Sequence, residues 1–357
     1  MTADTPHVRP LADPLGFTPD VARALAFFRA QDRYRPSPLH RIMGPGGQTV
    51  LAKDETQRMG LGAFKALGAP YAVARILAEG WRAKTGETRP LDCMDDPAFR
   101  AFAATQCFVC ASAGNHGMGV AAGARDRGAR ARIHLAASVP ADFAERLGAL
   151  GAEVVRSGET YDDSVAAAIE DAARSGATLL ADGTWEGYTE IPKWVMEGYC
   201  VIAEELRSGF EAKGGWPSHV YLQAGVGGLA AAMAHMIRET WAEQPALIVV
   251  EPEAAACLRA SHLAGRPTRG EGPESRMGRL DCKAPSIVAW SVLERCDVRY
   301  ETLSEAEAQA ATEALATQGL ETTPSGAAGY AALCKAHGER RGSGADRPLV
   351  IVSEGRS

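Results

Sequence analysis

The chain has 357 residues, 46% of them apolar, and 44 acidic against 38 basic residues give a net charge of −6. This length exceeds the size at which one hydrophobic core usually stops growing, so we expect two lobes. Without a basic block, the charge pattern excludes a protein that holds nucleic acid electrostatically. Apolar runs fall short of the roughly 20 residues of a membrane span, and the N-terminal stretch lacks a secretion signal's apolar core. We therefore expect a cytoplasmic protein with no membrane partner.

Eight cysteines are spread along the chain, whereas dense disulfide bonding is typical of small secreted scaffolds. Cys107 and Cys110 form a CxxC pair, but no second pair or nearby histidine cluster completes a set of zinc ligands. Buried free thiols are common in large cores. We favour packing over metal binding or redox chemistry for this pair and expect no metal site.

The first half of the chain alternates short apolar runs with longer stretches of helical period. The runs QCFVCAS, ARIHLAA, AEVVRSG and ATLLADG are predicted strands, and PADFAERLGALG and DDSVAAAIEDAARSG are predicted helices between them. Such an alternation indicates βα units, and therefore a parallel sheet covered by helices.

A second series of the same kind follows. HVYLQAG, ALIVVEP and RPLVIVSEG are continuous β-branched runs, typical of strands buried on both faces, and GLAAAMAHMIRETWAE is a predicted helix. The segment TWEGYTEIPKWVMEGYCVIAEELRSG, which separates the two series, has the apolar spacing of a long amphipathic helix. Residues 265–279 are predicted to form a loop, and its length suggests a function.

The segment KDETQRMGLGAFKALG places Lys65 between a predicted strand and a predicted helix. A lysine that acts as a nucleophile must lose its proton, and burial favours this by lowering its pKa from about 10.4. Taken alone, Lys65 fits an ordinary solvated helix lysine better than a catalytic group.

The segment QAGVGGLAAAM follows a predicted strand and opens a predicted helix. Glycines allow close approach of an anion there, and the helix dipole favours its charge. The backbone N–H groups that can converge on this anion belong to Gly225, Val226, Gly227, Gly228 and Leu229. A structural tight turn is one alternative. A dinucleotide-binding loop is a weaker one, because the spacing is G-x-G-G and only Glu251 lies near the position of a ribose-binding acid.

The segment ASAGNHGMGVAAGA has the same strand-to-helix design. Ser112, Ala113, Gly114 and His116 lie where small residues with free N–H groups can hold a substrate carboxylate, and the amide of Asn115 can bond a ring hydroxyl. The alternative is purely structural, with Ser112 as a helix cap and His116 as a partner in a local turn.

Together these motifs resemble fold-type II pyridoxal-phosphate (PLP) enzymes of the tryptophan-synthase β group, in particular the diaminopropionate ammonia-lyases. The similar segments are KDETQRMGLGAFKALG, GNHGMGVA, ADGTWEGYTEIPKWVMEGY, QAGVGGLAAA, VVEPE, MGRLDCKAPS, SGAAGYAAL and VIVSEG. The resemblance spans nearly the whole chain and implies a two-lobed α/β fold with mostly parallel sheets flanked by helices. It implies a large lobe of residues 1–88 and 206–357, a small inserted lobe of residues 89–205, PLP between them, and a homodimer.

The resemblance also implies roles for single residues. Lys65 would be the Schiff-base lysine, Asn115 would meet the cofactor hydroxyl, and the loop from Gly225 onward would hold the phosphate. Ser353 would face the pyridine nitrogen and leave it unprotonated. Asp182 matches an acid that acts as a catalytic base, although without the resemblance a cap or turn role is also open.

Two departures from the family pattern bear on the substrate. Ala113 stands where the family has a second acid, so we expect deprotonation from one face only, by Asp182 or Lys65, and a preference for the L-enantiomer. Arg279 and Lys283 stand in place of two glycines in the MGRLDCKAPS loop, where these cations could pair with an extra carboxylate or sulfonate of the substrate. Surface charge that favours solubility is the alternative for both.

The resemblance thus implies a PLP-dependent ammonia-lyase. Its reaction would be α,β-elimination on a β-substituted α-amino acid similar to 2,3-diaminopropionate, giving a 2-oxo acid and ammonia. Three alternatives stay open: β-replacement, elimination from a different amino acid that carries an extra acid group, and a PLP-binding protein without catalysis.

Overall fold

The computed structural model describes residues 15–92, 96–112, 114–339 and 346–356. Within these residues the strands are β1 (Leu39–Met43), β2 (Thr49–Asp54), β3 (Cys107–Ala111), β4 (Arg130–Leu135), β5 (Glu153–Arg156), β6 (Thr178–Leu179), β7 (His219–Gln223), β8 (Ala246–Pro252), β9 (Val298–Leu303) and β10 (Pro348–Val352). The helices are α1 (Val21–Arg29), α2 (Ala69–Thr85), α3 (Pro97–Ala103), α4 (Asn115–Arg127), α5 (Ala141–Ala149), α6 (Tyr161–Ser175), α7 (Glu190–Lys213), α8 (Gly228–Thr240), α9 (Cys257–Ala264), α10 (Ile287–Leu293), α11 (Glu305–Ala316) and α12 (Pro324–Gly338).

The larger sheet has six strands in the order β1-β2-β10-β7-β8-β9. Only the β1–β2 pair is antiparallel, and β10 lies between β2 and β7, so the sheet joins the two ends of the chain. One face packs on a core that includes α8, and the other face packs on residues of α11 and α12. Burial on both faces explains the continuous apolar runs of β7, β8 and β10.

The smaller sheet has four parallel strands in the order β5-β4-β3-β6. All four strands lie within residues 89–205, the range expected for the small lobe. The predicted boundary between residues 205 and 206 falls inside α7, which runs without interruption from Glu190 to Lys213. Phe108 and Ile133 of the small sheet belong to the same apolar cluster as Val220 and Leu349 of the large sheet, so the two sheets share a core.

The composition led to two expectations, one about membrane spans and one about the cysteines. Every helix in the described ranges is too short or too polar to cross a bilayer. The cysteines of those ranges are free thiols. Cys110 is buried in the main core, and Cys107 packs beside Val109.

A buried ionic network fastens α7 to the segment that follows β2. Glu205 of α7 accepts from Lys53 at 2.6 Å and from Arg58 at 2.7 Å, and Arg58 also donates to Glu55 at 2.6 Å. The four side chains are at most 4% exposed. The network therefore fixes the path of the chain from β2 toward Lys65.

We expect Glu205→Gln to lower the free energy of unfolding by about 3–5 kcal/mol, because the change leaves Arg58 and Lys53 buried with too little negative charge. Denaturant unfolding of the two proteins measures the difference. Glu211→Gln on the same helix is the matched control, since Glu211 pairs with Arg207 on the surface and should cost about 0–1 kcal/mol. Equal losses in the two variants would contradict the assignment.

Candidate active site

The predicted site residues follow the carboxyl ends of parallel strands, where α/β sheets bind their ligands. Lys65 lies in a single 3₁₀ turn (Phe64–Ala66) between β2 and α2. The N–H of Phe64 donates to the carbonyl of Ser353 at 3.0 Å, directly after β10. The lysine turn is therefore held against the end of a central strand, and the lysine itself precedes the α-helix.

Lys65 and Asp182 meet across 117 residues of sequence. Nζ of Lys65 donates a hydrogen bond to Oδ2 of Asp182, and the side chains are 19% and 21% exposed. Burial by itself would lower the pKa of Lys65, but the Asp182 carboxylate outweighs it and raises that pKa well above its usual range. Burial would likewise raise the pKa of Asp182, and Lys65 instead holds it far below its usual range. The pair thus combines a cation and an anion in one cleft.

Two buried polar atoms beside this pair lack a hydrogen-bond partner among the described residues. His116 donates from Nε2 to the carbonyl of Leu180 at 2.8 Å, while its Nδ1 lies 3.9 Å from Oδ2 of Asp182, too far for a hydrogen bond. The hydroxyl of Tyr199 is also unpaired, and its ring packs edge-on against Phe64 with centroids 4.9 Å apart. Unpaired buried polar atoms are costly in an interior, so these two indicate a site that a polar ligand completes.

The glycine loop between β7 and α8 forms a cradle. A Cβ added to Gly225 would lie 2.9 Å from Sγ of Cys282, and Gly227 has a φ of +104°, so both positions favour glycine. Val226 accepts at its carbonyl from the N–H of Ser286 at 2.9 Å, which holds the loop in place. Gly228 and Leu229 begin α8 and present N–H groups that have no partner within the helix.

The structure weakens the dinucleotide alternative for this loop. Both carboxylate oxygens of Glu251 accept backbone N–H bonds, from Leu258 and Arg259 at 2.8 Å each. The side chain is fully buried, and it caps the start of α9. Glu251 therefore has a structural task in place of ribose binding.

The turn before α4 carries the predicted carboxylate-binding residues. Ser112 accepts at Oγ from the N–H of Gly114 at 3.2 Å, and Asn115 is the first residue of the helix. Ala113 lies outside the described residues. The amide of Asn115 donates to the Glu354 carboxylate, so the group predicted to meet a cofactor hydroxyl has an acidic partner here.

Ser353 is buried at the end of β10, and its Oγ accepts from Nε2 of Gln223 at 3.0 Å. Gln223 also donates to the carbonyl of Ile351 at 2.8 Å. Because these bonds fix the amide, they orient the serine hydroxyl at the same edge of the sheet as Lys65. Ser353 thus joins the residues that the fold brings together.

Glu354 lies among the candidate site residues and was not predicted from the sequence. It is 3% exposed, and its two carboxylate oxygens accept from Asn115 and, at 2.5 Å, from Thr323. Burial raises its pKa, against the opposing effect of Thr323 and Arg279. The sequence offered one signal, an acid directly after a buried strand and beside a predicted site serine.

The two cations of the loop between α9 and α10 have different partners. Lys283 donates to the carbonyls of Ala254 at 2.6 Å and Pro273 at 2.8 Å and pairs with Asp281 at 2.6 Å. Its ammonium is thus engaged within the loop region, and the structure does not bring it to the other predicted site residues. Arg279, in contrast, lies against Gly114 of the turn before α4.

Comparison with known proteins places this geometry in a family. The family described as "Pyridoxal-phosphate dependent enzyme" matches residues 30–354. Diaminopropionate ammonia-lyase of Escherichia coli strain K12 is 33% identical over 273 residues, 75% of this chain and 67% of the relative. The enzyme of the same name from Salmonella typhimurium is 34% identical over 280 residues, 75% of this chain and 69% of the relative. The crystal structure of the E. coli enzyme with an aminoacrylate-PLP azomethine intermediate superposes with a TM-score of 0.83 at 28% identity, covering 99% of this chain and 93% of the other.

The chain therefore belongs to the family of pyridoxal-phosphate dependent enzymes. The comparisons confirm the predicted resemblance to diaminopropionate ammonia-lyases, the α/β class of the fold and PLP as the cofactor. The residues present fit that cofactor, since a partly buried lysine, a glycine cradle and unpaired buried polar atoms lie close together.

Proposed function

We propose that this chain catalyses α,β-elimination from a β-substituted L-α-amino acid, with 2,3-diaminopropionate as the reference substrate, and releases a 2-oxo acid and ammonia. The observation that carries this proposal is the partly buried contact between Lys65 and Asp182. Similarity to diaminopropionate ammonia-lyases over 75% of the chain supports the reaction class.

The residues that would hold PLP follow from the cleft. Lys65 would bind its aldehyde, the 225–229 loop its phosphate, Asn115 its ring hydroxyl and Ser353 its pyridine nitrogen. When bound, PLP supplies an electron sink for the negative charge that develops at the substrate Cα. The N–H groups of the turn before α4 would bind the substrate carboxylate, since a helix N-terminus favours an anion.

The chain's own residues would move the protons. Asp182, or Lys65 once it is free of the aldehyde, takes the proton from Cα, and the Cβ substituent then leaves with its bonding electron pair. Water converts the released enamine acid to a 2-oxo acid and ammonia, so that substrate and one water give these two products and the protonated leaving group. His116 lies next to Asp182, with its Nδ1 3.9 Å from Oδ2 of that carboxylate.

Stereochemistry follows from which acids are present. Asp182 supplies one base in the cleft, and Ala113 has no titratable group at the position where a second acid is expected. Deprotonation from a single face gives a preference for one Cα configuration, which we assign as L. We further propose that the protein acts in the cytoplasm as a homodimer, on the strength of its resemblance to the family.

The test uses purified PLP-loaded protein with L- and D-2,3-diaminopropionate and L-serine, without an added nucleophile. We expect 2-oxo acid and ammonia from the L-diamine in a ratio of one to two, because both amino groups leave. Equal rates for the two enantiomers would overturn the single-face assignment. Product only after addition of a thiol would indicate β-replacement, and a change in cofactor absorbance without product would indicate a binding protein.

A further inference from the structure

Arg279 lies directly over the turn that begins α4. Its Nη1 is 3.1 Å from the position that a Cβ on Gly114 would occupy. The guanidinium also faces the ring of Phe143, with 5.6 Å between Cζ and the ring centroid, and the backbone N–H of Arg279 donates to Ser325 at 3.2 Å. These contacts place a positive charge above the proposed binding turn for the substrate carboxylate.

The guanidinium has hydrogen-bonding capacity left over. Its acidic neighbour Glu354 lies 3.8 Å away, measured from Nε to Oε2, which is too long for a hydrogen bond. Both oxygens of Glu354 already accept from other groups, Thr323 and Asn115. A guanidinium carries five N–H donors in a planar fork that matches an oxyanion. Since the side chain is 30% exposed, an incoming ligand can reach this fork.

Two features of the surroundings favour, as the ligand of Arg279, an acid group of the substrate other than its α-carboxylate. The first N–H groups of α4 already offer a place for the α-carboxylate, so the charge of Arg279 is additional. His116, 4% exposed, directs an unpaired Nδ1 toward Asp182 beneath the same turn, so the cleft there is built for a polar molecule. Lys283 does not share the task, because its ammonium is engaged in the loop.

We propose that Arg279 binds a second acid group, a carboxylate or sulfonate, on the β substituent of the substrate. This inference rests on the proposed elimination. In the reaction the Cα–H and Cβ–X bonds break, and the acid-bearing group X leaves with the electron pair and gains a proton. Water then converts the enamine to 2-oxo acid and ammonia.

The test compares two substrates of nearly equal size, S-carboxymethyl-L-cysteine and its neutral amide, S-carbamoylmethyl-L-cysteine. We expect the wild-type holoenzyme to favour the acid by about tenfold or more in kcat/KM, since hydrogen bonds to a charged group contribute about 1.5–3 kcal/mol. Arg279→Gln should remove this preference, because kcat/KM should fall far more for the acid than for the amide. Arg279→Lys should retain part of it, because Lys keeps the charge and loses the fork. Arg276→Gln, an exposed residue of the same loop, is the control and should keep the full preference.

Binding provides a second readout that does not need turnover. Titration of the holoenzyme with each compound, followed by cofactor absorbance, should show tighter binding of the acid in wild type and equal binding in Arg279→Gln. An equal loss for both compounds in that variant would overturn the proposal, because Arg279 would then serve the α-carboxylate or the fold. A wild-type protein without preference would overturn it as well. Failure of the proposed elimination is distinct: it shows as absence of 2-oxo acid from either compound and from 2,3-diaminopropionate.

Discussion

Replacing Lys65 with alanine should lower turnover by more than about 10³-fold and abolish covalent capture of PLP. The expectation follows from the chemistry of a lysine nucleophile and from its place beside Asp182 and the glycine loop. Reduction of the holoenzyme with borohydride, followed by peptide mass analysis, should find the cofactor on the Lys65 peptide of wild type and on none of the variant.

The matched control is Lys213→Ala at the exposed end of α7. This variant should keep both the covalent adduct and the wild-type rate. If the Lys65→Ala protein retains the reducible cofactor adduct, the assignment of Lys65 as the cofactor-binding lysine is wrong, and so is the proposed site.

The second large effect is expected from Asp182→Asn, which removes a negative charge at nearly constant volume. Loss of a positioned general base typically costs 10²–10⁴-fold in rate, and we expect kcat to fall within about that range. The same substitution should lower the pKa of Lys65. In wild type, the Asp182 carboxylate raises the pKa of Lys65 against the effect of burial, and in the variant the loss of that carboxylate lowers this pKa. The neutral amine then exists at lower pH.

Rates of covalent PLP capture by the apoprotein, measured from pH 6 to 10, separate these two effects. The alkaline rise of capture should move to lower pH in Asp182→Asn even as turnover falls. Asp142→Asn on α5, an exposed position, should reproduce the wild-type profile in both assays. Unchanged turnover together with an unmoved capture profile would rule out a role for Asp182.

Most of the fold could be predicted because its strands are buried on both faces. β7, β8 and β10 appear in the sequence as continuous β-branched runs, and the structure places each of them at the predicted position. β1 and β9 were missed. Both are edge strands with mostly exposed or half-buried residues, so their apolar pattern is too weak to distinguish from a loop.

The loop cations show where sequence reasoning reaches its limit. Arg279 and Lys283 are four residues apart and were predicted to share one role. In the structure Lys283 bonds to the carbonyls of Ala254 and Pro273, while Arg279 lies over the turn before α4. Charge type is visible in a sequence, but the direction of a long flexible side chain depends on which acceptors the folded loop brings near.

The sequence by itself determined the residue types at the strand ends, because strand period and glycine spacing are local properties of the chain, and its resemblance to a known family implied the cofactor. Only the tertiary structure decided which of these residues meet. Lys65 meets Asp182, and Glu354 meets Asn115, a partner 239 residues away. Such contacts depend on how two sheets pack around a shared core, and no local pattern records that packing.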